Sequence, residues 1–123
     1  MPIGGARGDA TLEVDGTVYT ILFTNRALAD AERATGKAIT ALLRDATLGA
    51  LGMGDLANLL HVGLEASRRE ERRGGRSYTM SDAWEILDGL GMTKVATAIY
   101  EAVAAVIGYE SEEGADDDDG PPA

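Results

Sequence analysis

Few side chains of this chain are of the types that carry out chemistry, and their spacing does not match a catalytic arrangement. His61 is the only histidine and cysteine is absent, so one chain offers neither a two-histidine metal site nor a thiol nucleophile. A catalytic triad would have to use His61, which lies between Leu60 and Val62 in an apolar stretch. We therefore expect a structural role for His61, and no catalytic residue, metal site or cofactor.

The carboxylates and glycines that could form a site have weak patterns. Asp82 and Glu85 are three residues apart, a spacing typical of the acidic first turn of any helix. Residues 49–54 (GALGMG) are rich in glycine, but no Lys-Ser or Lys-Thr pair follows them. The phosphate-loop fingerprint is therefore not met. We interpret the carboxylates as a solvated helix face and the glycines as a helix connector.

The charged residues are unevenly distributed along the chain, whose net charge is -10. Seven of the 21 acidic residues lie in the last fourteen positions, so residues 1–109 carry 11 bases against 14 acids. An acidic body argues against nucleic acid as the main partner, because phosphate binding requires a basic face. The one basic cluster is interrupted by Glu70 and Glu71; its members are Arg68, Arg69, Arg72, Arg73 and Arg76. We favour a solvated loop there over contact with phosphate, an acidic protein or the chain's own residues 116–119.

A β-hairpin is the first element that the pattern predicts. Residues 10–14 and 17–23 are largely alternating and β-branched, and Asp15-Gly16 between them suits a type I′ turn. A two-residue turn pairs Val14 with Thr17 and Leu12 with Tyr19, so that one face carries Leu12, Val14, Tyr19, Ile21 and Phe23. Because a lone hairpin is hardly stable in water, it must pack on helices or extend a partner's sheet.

Helical segments follow the hairpin. We expect Thr24 to cap the first and Gly36 to end it, and Thr79 or Ser81 to cap the fourth, which stops at residues 89–91. The other predicted segments are helices over 38–45, 55–67 and 93–107, a Gly-broken linker at 47–54 and a charged loop at 67–77. The sequence therefore predicts an α+β fold, with an N-terminal β-hairpin followed by a small bundle of four to five helices.

The chain of 123 residues is long enough for one core. We expect a flexible N-terminus over residues 1–9, one hairpin-plus-helical domain over 10–108, and a disordered acidic tail over 109–123. No apolar run approaches the roughly 20 residues that span a bilayer, and the first residues lack the signal-peptide pattern. We therefore expect a cytoplasmic protein that does not bind membranes.

Two helices carry apolar stripes that could be core or a groove for a partner helix. The candidate partner-binding residues on these stripes are Leu56, Leu59, Leu60, Leu64, Val95, Ile99, Val103 and Val106. Gly63 and the alanines of the last helix are expected to let helices approach closely. Trp84, at an apolar position of the fourth helix, is expected in the core.

The sequence resembles the phage tail assembly chaperones, in particular the branch grouped with the gene transfer agent tail proteins. The residues that carry the resemblance are 12–29 (LEVDGTVYTILFTNRALA), Glu32, 35–39 (TGKAI), 59–64 (LLHVGL) and 78–83 (YTMSDA). The Arg-rich segment at 68–76 and the acidic tail depart from the family pattern.

The resemblance implies a short protein that is not an enzyme and that binds the tape measure protein, keeps it soluble and helps to recruit tail tube subunits. It implies a place in the host cell cytoplasm during viral tail morphogenesis and absence from the mature virion. Whether the chain forms a homo-oligomer, which face docks and whether a longer frameshifted product exists stay open.

Two other classes of function compete with the chaperone interpretation. The main alternative is a structural virion protein, a small tail or head–tail connector component, in which the hairpin adds a strand to a neighbouring subunit. A weaker one is a regulatory domain that binds nucleic acid through residues 68–76. Purified particles discriminate the first two, because a structural protein stays in the particle.

Overall fold

The computed structural model describes residues 7–71 and 76–119, which form a two-stranded antiparallel hairpin followed by five helices. This arrangement confirms the predicted α+β class and the predicted order of hairpin before helices. The elements are β1 (Arg7–Val14), β2 (Thr17–Thr24), α1 (Asn25–Thr35), α2 (Ile39–Thr47), α3 (Met53–Glu70), α4 (Met80–Leu90) and α5 (Met92–Asp119).

The hairpin has the turn and the register that its sequence predicts. Asp15 and Gly16 both have positive φ angles, 52° and 83°, as a type I′ turn requires. Val14 pairs with Thr17, and Leu12 pairs with Tyr19. The strands are longer than predicted, because pairing continues from Ala10 back to Arg7 and from Phe23 on to Thr24.

Two helices cover the apolar face of the hairpin, with α3 against β2 and α5 against β1. Leu12, Ile21 and Phe23 are buried on this face. Leu22 points to the opposite face and is buried as well, beside Ala66 near the end of α3. A two-stranded hairpin is at best marginally stable alone in water, and here the helices stabilise it by burying its apolar face.

Glycines allow this close approach of backbones. A Cβ atom on Gly8 would lie 1.9 Å from the carbonyl oxygen of Ala102 in α5. A Cβ atom on Gly63 of α3 would lie 3.0 Å from side-chain atoms of Ile21 and Phe23. The prediction that Gly63 brings two helices together was wrong, because the neighbour it approaches is strand β2.

The connection from α1 to α2 is fixed by hydrogen bonds from both sides. The Thr24 hydroxyl accepts from the Ala27 amide at 3.1 Å, and Gly36 ends α1 with φ of 75°, so both predicted caps are confirmed. Ala38 precedes α2 without a side-chain cap. The Glu32 carboxylate accepts from the Ile39 amide at 2.8 Å, and thereby caps α2 from the preceding helix.

Helices α2 and α3 extend beyond their predicted ends. Helix α2 runs two residues further, to Thr47, and α3 begins at Met53 and ends at Glu70. The predicted loop over 67–77 was wrong in its first part, because Arg68 and Arg69 lie on the last turn of α3. Arginine is a good helix former and favours a helix C-terminus, which explains the extension.

Helix α4 begins with a capping box. The Thr79 hydroxyl accepts from the Asp82 amide, and the Asp82 carboxylate accepts from the Thr79 amide at 2.8 Å. Thr79, and not Ser81, is therefore the N-cap.

Trp84 of α4 is 38% exposed, so its expected place in the core was wrong. The neighbouring Ala83 is fully buried, because the buried stripe of α4 passes through residue 83.

Helix α5 is longer than predicted, since it continues past Ile107 to Asp119. The composition predicts a disordered tail over residues 109–123, and the structure differs there in that the backbone is helical through Asp119. Residues 1–6 and 120–123 lie outside the described residues. The division into a flexible start, one domain and an acidic tail stays a prediction.

Candidate interaction surfaces

The eight apolar residues predicted to bind a partner are all buried inside the folded chain. None has more than 3% of its surface exposed; they are Leu56, Leu59, Leu60 and Leu64 on α3, and Val95, Ile99, Val103 and Val106 on α5. These side chains belong to one continuous core with the apolar face of the hairpin. A partner could contact most of them only if the helices separated.

A shallow groove of about 420 Å³ lies between α2 and α5. The residues that line this α2–α5 groove are Ala46 and Thr47 of α2, and Ala96, Thr97, Tyr100 and Glu101 of α5. Tyr100 is 39% exposed, and Leu48, directly after Thr47, is 71% exposed. The groove therefore presents apolar side chains to solvent between two helices.

The floor of the groove reaches the predicted residues. A small apolar cavity shares Ala46 and Tyr100 with the groove and is lined below by Leu59, Ile99 and Val103. Helix α2 covers this part of the core thinly, since Leu42 is its one fully buried residue. Three of the eight predicted residues thus lie directly beneath the groove.

A polar cleft of about 320 Å³ lies where the end of α3 meets the start of α4. Tyr78 makes three contacts in this polar cleft. Its amide donates to the Glu65 carboxylate, its carbonyl lies 2.8 Å from His61 Nε2, and its ring meets Tyr19 edge-on with centroids 6.3 Å apart. His61 is half-buried, and this backbone contact agrees with the structural role expected for it.

Ion pairs stabilise the carboxylates around Tyr78. Arg68 Nη2 donates to Glu65 at 2.9 Å, and this hydrogen bond, with that from the Tyr78 amide, lowers the pKa of the Glu65 carboxyl. The Thr79 amide and then Arg76 lower the pKa of the Asp82 carboxyl in the same way. Both acids are therefore held ionised by partners that the fold supplies.

The described part of the arginine cluster is paired with acids. Arg68 contacts Glu65 on α3, Arg69 Nη2 lies 3.7 Å from Asp30 of α1, and Arg76 lies 3.3 Å from Asp82. Arg72 and Arg73 lie outside the described residues. The sequence could not show these pairs, because the partners of Arg69 and Arg76 come from other elements.

Within residues 7–71 and 76–119, no group of three or more His, Cys, Asp or Glu side chains could hold a metal ion. In the same ranges no single helix has the length and apolarity needed to cross a membrane. Helix α4 joined to the part of α5 up to Gly108 passes that test only as a pair bent by 114°.

The exposed surfaces were the part that sequence reasoning missed. Periodicity identified the apolar stripes, but it could not distinguish stripe residues buried in the core from those that lie beneath a groove. The available signal in the sequence was Leu48, a large apolar residue directly before the Gly-rich connector at 49–54, outside any predicted helical stripe. The chain matches no protein-family model, no curated protein and no solved structure.

Proposed function

We propose that this chain is a tail assembly chaperone that binds an apolar helical segment of a tape measure protein, keeps that protein soluble and helps to recruit tail tube subunits. The observation that carries the binding step is the α2–α5 groove. Two helices form its walls, Tyr100 exposes apolar surface within it, and the exposed Leu48 directly follows the lining residue Thr47 in the chain. Grooves of this kind accept one apolar face of an amphipathic helix.

The choice of partner rests on the resemblance to the tail assembly chaperones. Residues 12–29 carry most of that resemblance, and they form the hairpin and the capped start of α1 that their sequence predicts. The conformation of this segment supports the comparison without identifying the partner. The partner is therefore the part of the proposal that needs a direct test.

The charge of the chain suits a chaperone of apolar helices. Its net charge is -10, and a net charge far from zero keeps a complex soluble through mutual repulsion. An apolar helix bound in the groove would be shielded from other copies of itself, while the acidic surface faces solvent. Apolar capture and electrostatic solubility would thus come from different parts of the chain.

Co-expression with a tape measure fragment tests the proposal. We expect the chain to raise the soluble fraction of the fragment and to co-purify with it. Tyr100→Asp should abolish both effects, because it places a charge at the rim of the groove. Trp84→Asp is the matched control, since Trp84 is exposed to nearly the same extent, 38% against 39%, on another helix. Equal loss with both variants, or no complex with the parent chain, would contradict the proposal.

Mass spectrometry of purified particles beside infected-cell lysate tests the biological role. A chaperone should be abundant in the lysate and missing from the particle. Stoichiometric presence in the particle would instead favour the structural virion protein, and the chaperone proposal would be abandoned.

A further inference from the structure

Within the described residues, strand β1 pairs only with β2, so its other edge carries no strand. Val14 and Thr17 flank a two-residue turn and exchange both hydrogen bonds, so the bonded pairs continue at Leu12 and at every second residue before it. The amide and carbonyl groups of Asp9, Thr11 and Glu13 therefore point away from β2. Within the described residues, these three take part in no backbone hydrogen bond outside the hairpin.

A second groove lies beside this edge. It has a volume of about 430 Å³, and no described residue of β2 lines it. The lining consists of Thr11, Leu12 and Glu13 of β1, Leu90 of α4, and Thr93, Lys94, Thr97, Ala98 and Glu101 of α5. Helix α5 thus extends past the edge of the sheet and forms a wall beneath the place where a third strand would lie.

The side chains around this edge determine what kind of strand fits. Asp9 and Glu13 are exposed on the outer face of β1, and Glu101 stands on the wall with Lys94 as the one base. Acidic side chains therefore dominate the outer rim. Leu90 and Ala98 supply apolar surface on the inner wall, so the residues of an added strand that face them meet different chemistry from those that face solvent.

We propose that β1 binds an extended segment of another protein by strand addition, with small apolar residues facing α5 and Lys or Arg facing solvent. Backbone hydrogen bonds to residues 9–13 would supply affinity, and the alternation of side chains would supply specificity. This site adjoins the α2–α5 groove, with which it shares Thr97 and Glu101, but its binding element is the backbone edge of β1, which takes no part in the α2–α5 groove. It therefore does not depend on the chaperone proposal.

Other occupants fit this edge less well. Two β1 strands paired about Thr11 would set Asp9 of each copy opposite Glu13 of the other, and like charges directly opposite are destabilising. The acidic residues 110–119 of the same chain would meet the same repulsion. Charge complementarity thus favours a basic partner over a second copy or the chain's own tail.

Peptide binding followed by amide hydrogen exchange tests the proposal. The probe is a short peptide in which valine alternates with lysine, and the control peptides are a valine–glutamate version and a scrambled version of the first. We expect the valine–lysine peptide to slow exchange of the Thr11 and Glu13 amides, and to bind more weakly as salt rises. Absence of protection at these amides, or equal binding of all three peptides, would overturn the proposal. Sedimentation as a dimer through β1 without peptide would replace it with self-association.

Two variants separate the backbone from the charge contribution. Thr11→Pro removes an outward amide without touching a hairpin hydrogen bond, and should abolish binding; Thr20→Pro, at an outward position of β2, should leave it intact. If Thr11→Pro fails to fold, the exposed double variant D9K/E13K decides. It should weaken the valine–lysine peptide about threefold to tenfold and strengthen the valine–glutamate peptide. Unchanged peptide preference in D9K/E13K would refute the charge argument.

Discussion

The two sides of α5 are packed in different ways. Towards the hairpin, backbone approaches backbone at Gly8 and Ala102, and Ile21 and Phe23 of β2 are fully buried in the same core. Towards α2, Leu42 is the one fully buried residue of that helix, Ile39, Leu43 and Ala46 are only partly buried, and a groove opens beside Tyr100. One helix therefore has a tightly packed side and a thinly covered side.

This difference separates stability from binding. At Gly8, Ile21 and Phe23 the contact of the hairpin with the helices is filled by backbone and buried side chains, so substitutions at these residues should act on folding. The contact of α2 with α5 leaves apolar surface in solvent, so substitutions there should act on partners. The predictions below test whether the two sides behave as differently as they are packed.

The largest expected effect is on the tightly packed side. Phe23 is completely buried between the hairpin and α3, and Phe23→Ala should lower the free energy of unfolding by about 3–5 kcal/mol, because it leaves a cavity. Tyr100→Ala on the thin side should change it by no more than about 1 kcal/mol. Urea denaturation of both variants measures the difference. Comparable losses would mean that α2 is as tightly packed as the hairpin.

A smaller effect is expected from adding one methyl group at a glycine. In Gly8→Ala the new Cβ would meet the Ala102 carbonyl oxygen, and the shift of backbone should cost about 1–3 kcal/mol. Gly54→Ala is the matched control, because nothing lies within 4 Å of its Cβ position on α3. That variant should stabilise the chain by about 0.5–1 kcal/mol, since alanine favours helix over glycine. Thermal unfolding of the pair should move the midpoints in opposite directions.

Local signals let much of this fold be predicted from sequence. Asp15-Gly16 set the turn and therefore the register, and the Thr24 and Thr79 caps set two helix starts. Each of these features depends on residues close to one another in the chain. The element ends were less predictable, because the C-terminus of α3 is favoured in part by Arg69 pairing with Asp30 of α1, an acid that the sequence does not place beside it.

The candidate surfaces were less predictable, for a physical reason. A helical period identifies which residues share a face, but it does not identify what covers that face. Leu59 and Leu60 are neighbours on the same predicted stripe, yet Leu59 lines the cavity beneath the groove while Leu60 is completely buried in the core. The position of α2 decides between these environments, and that position depends on Glu32 capping a different helix.

The smallest expected effect is at the polar C-terminal end of α3. Substitution of Glu65 there tests whether ion pairs or close packing stabilise this part of the fold. The Arg68 hydrogen bond, with that from the Tyr78 amide, lowers the pKa of Glu65 in the folded chain below its ordinary value of 4.5. A carboxyl with a lowered folded-state pKa stabilises the fold at pH values above its unfolded-state pKa, and this contribution disappears as pH falls through the folded-state pKa.

Glu65→Gln should therefore lower the free energy of unfolding at neutral pH, and the difference from the parent chain should shrink as pH falls below 4.5. The Glu65 pair lies near the surface, where solvent screens charge, so we expect a loss of at most about 1 kcal/mol. Asp88→Asn, at an exposed position of α4, serves as the control for removal of one negative charge. Denaturation midpoints of the three chains from pH 7 to pH 3 measure the effect. If the Glu65→Gln deficit persisted unchanged at low pH, the contribution of Glu65 would come from packing, and the polar end of α3 would resemble the tightly packed side of α5.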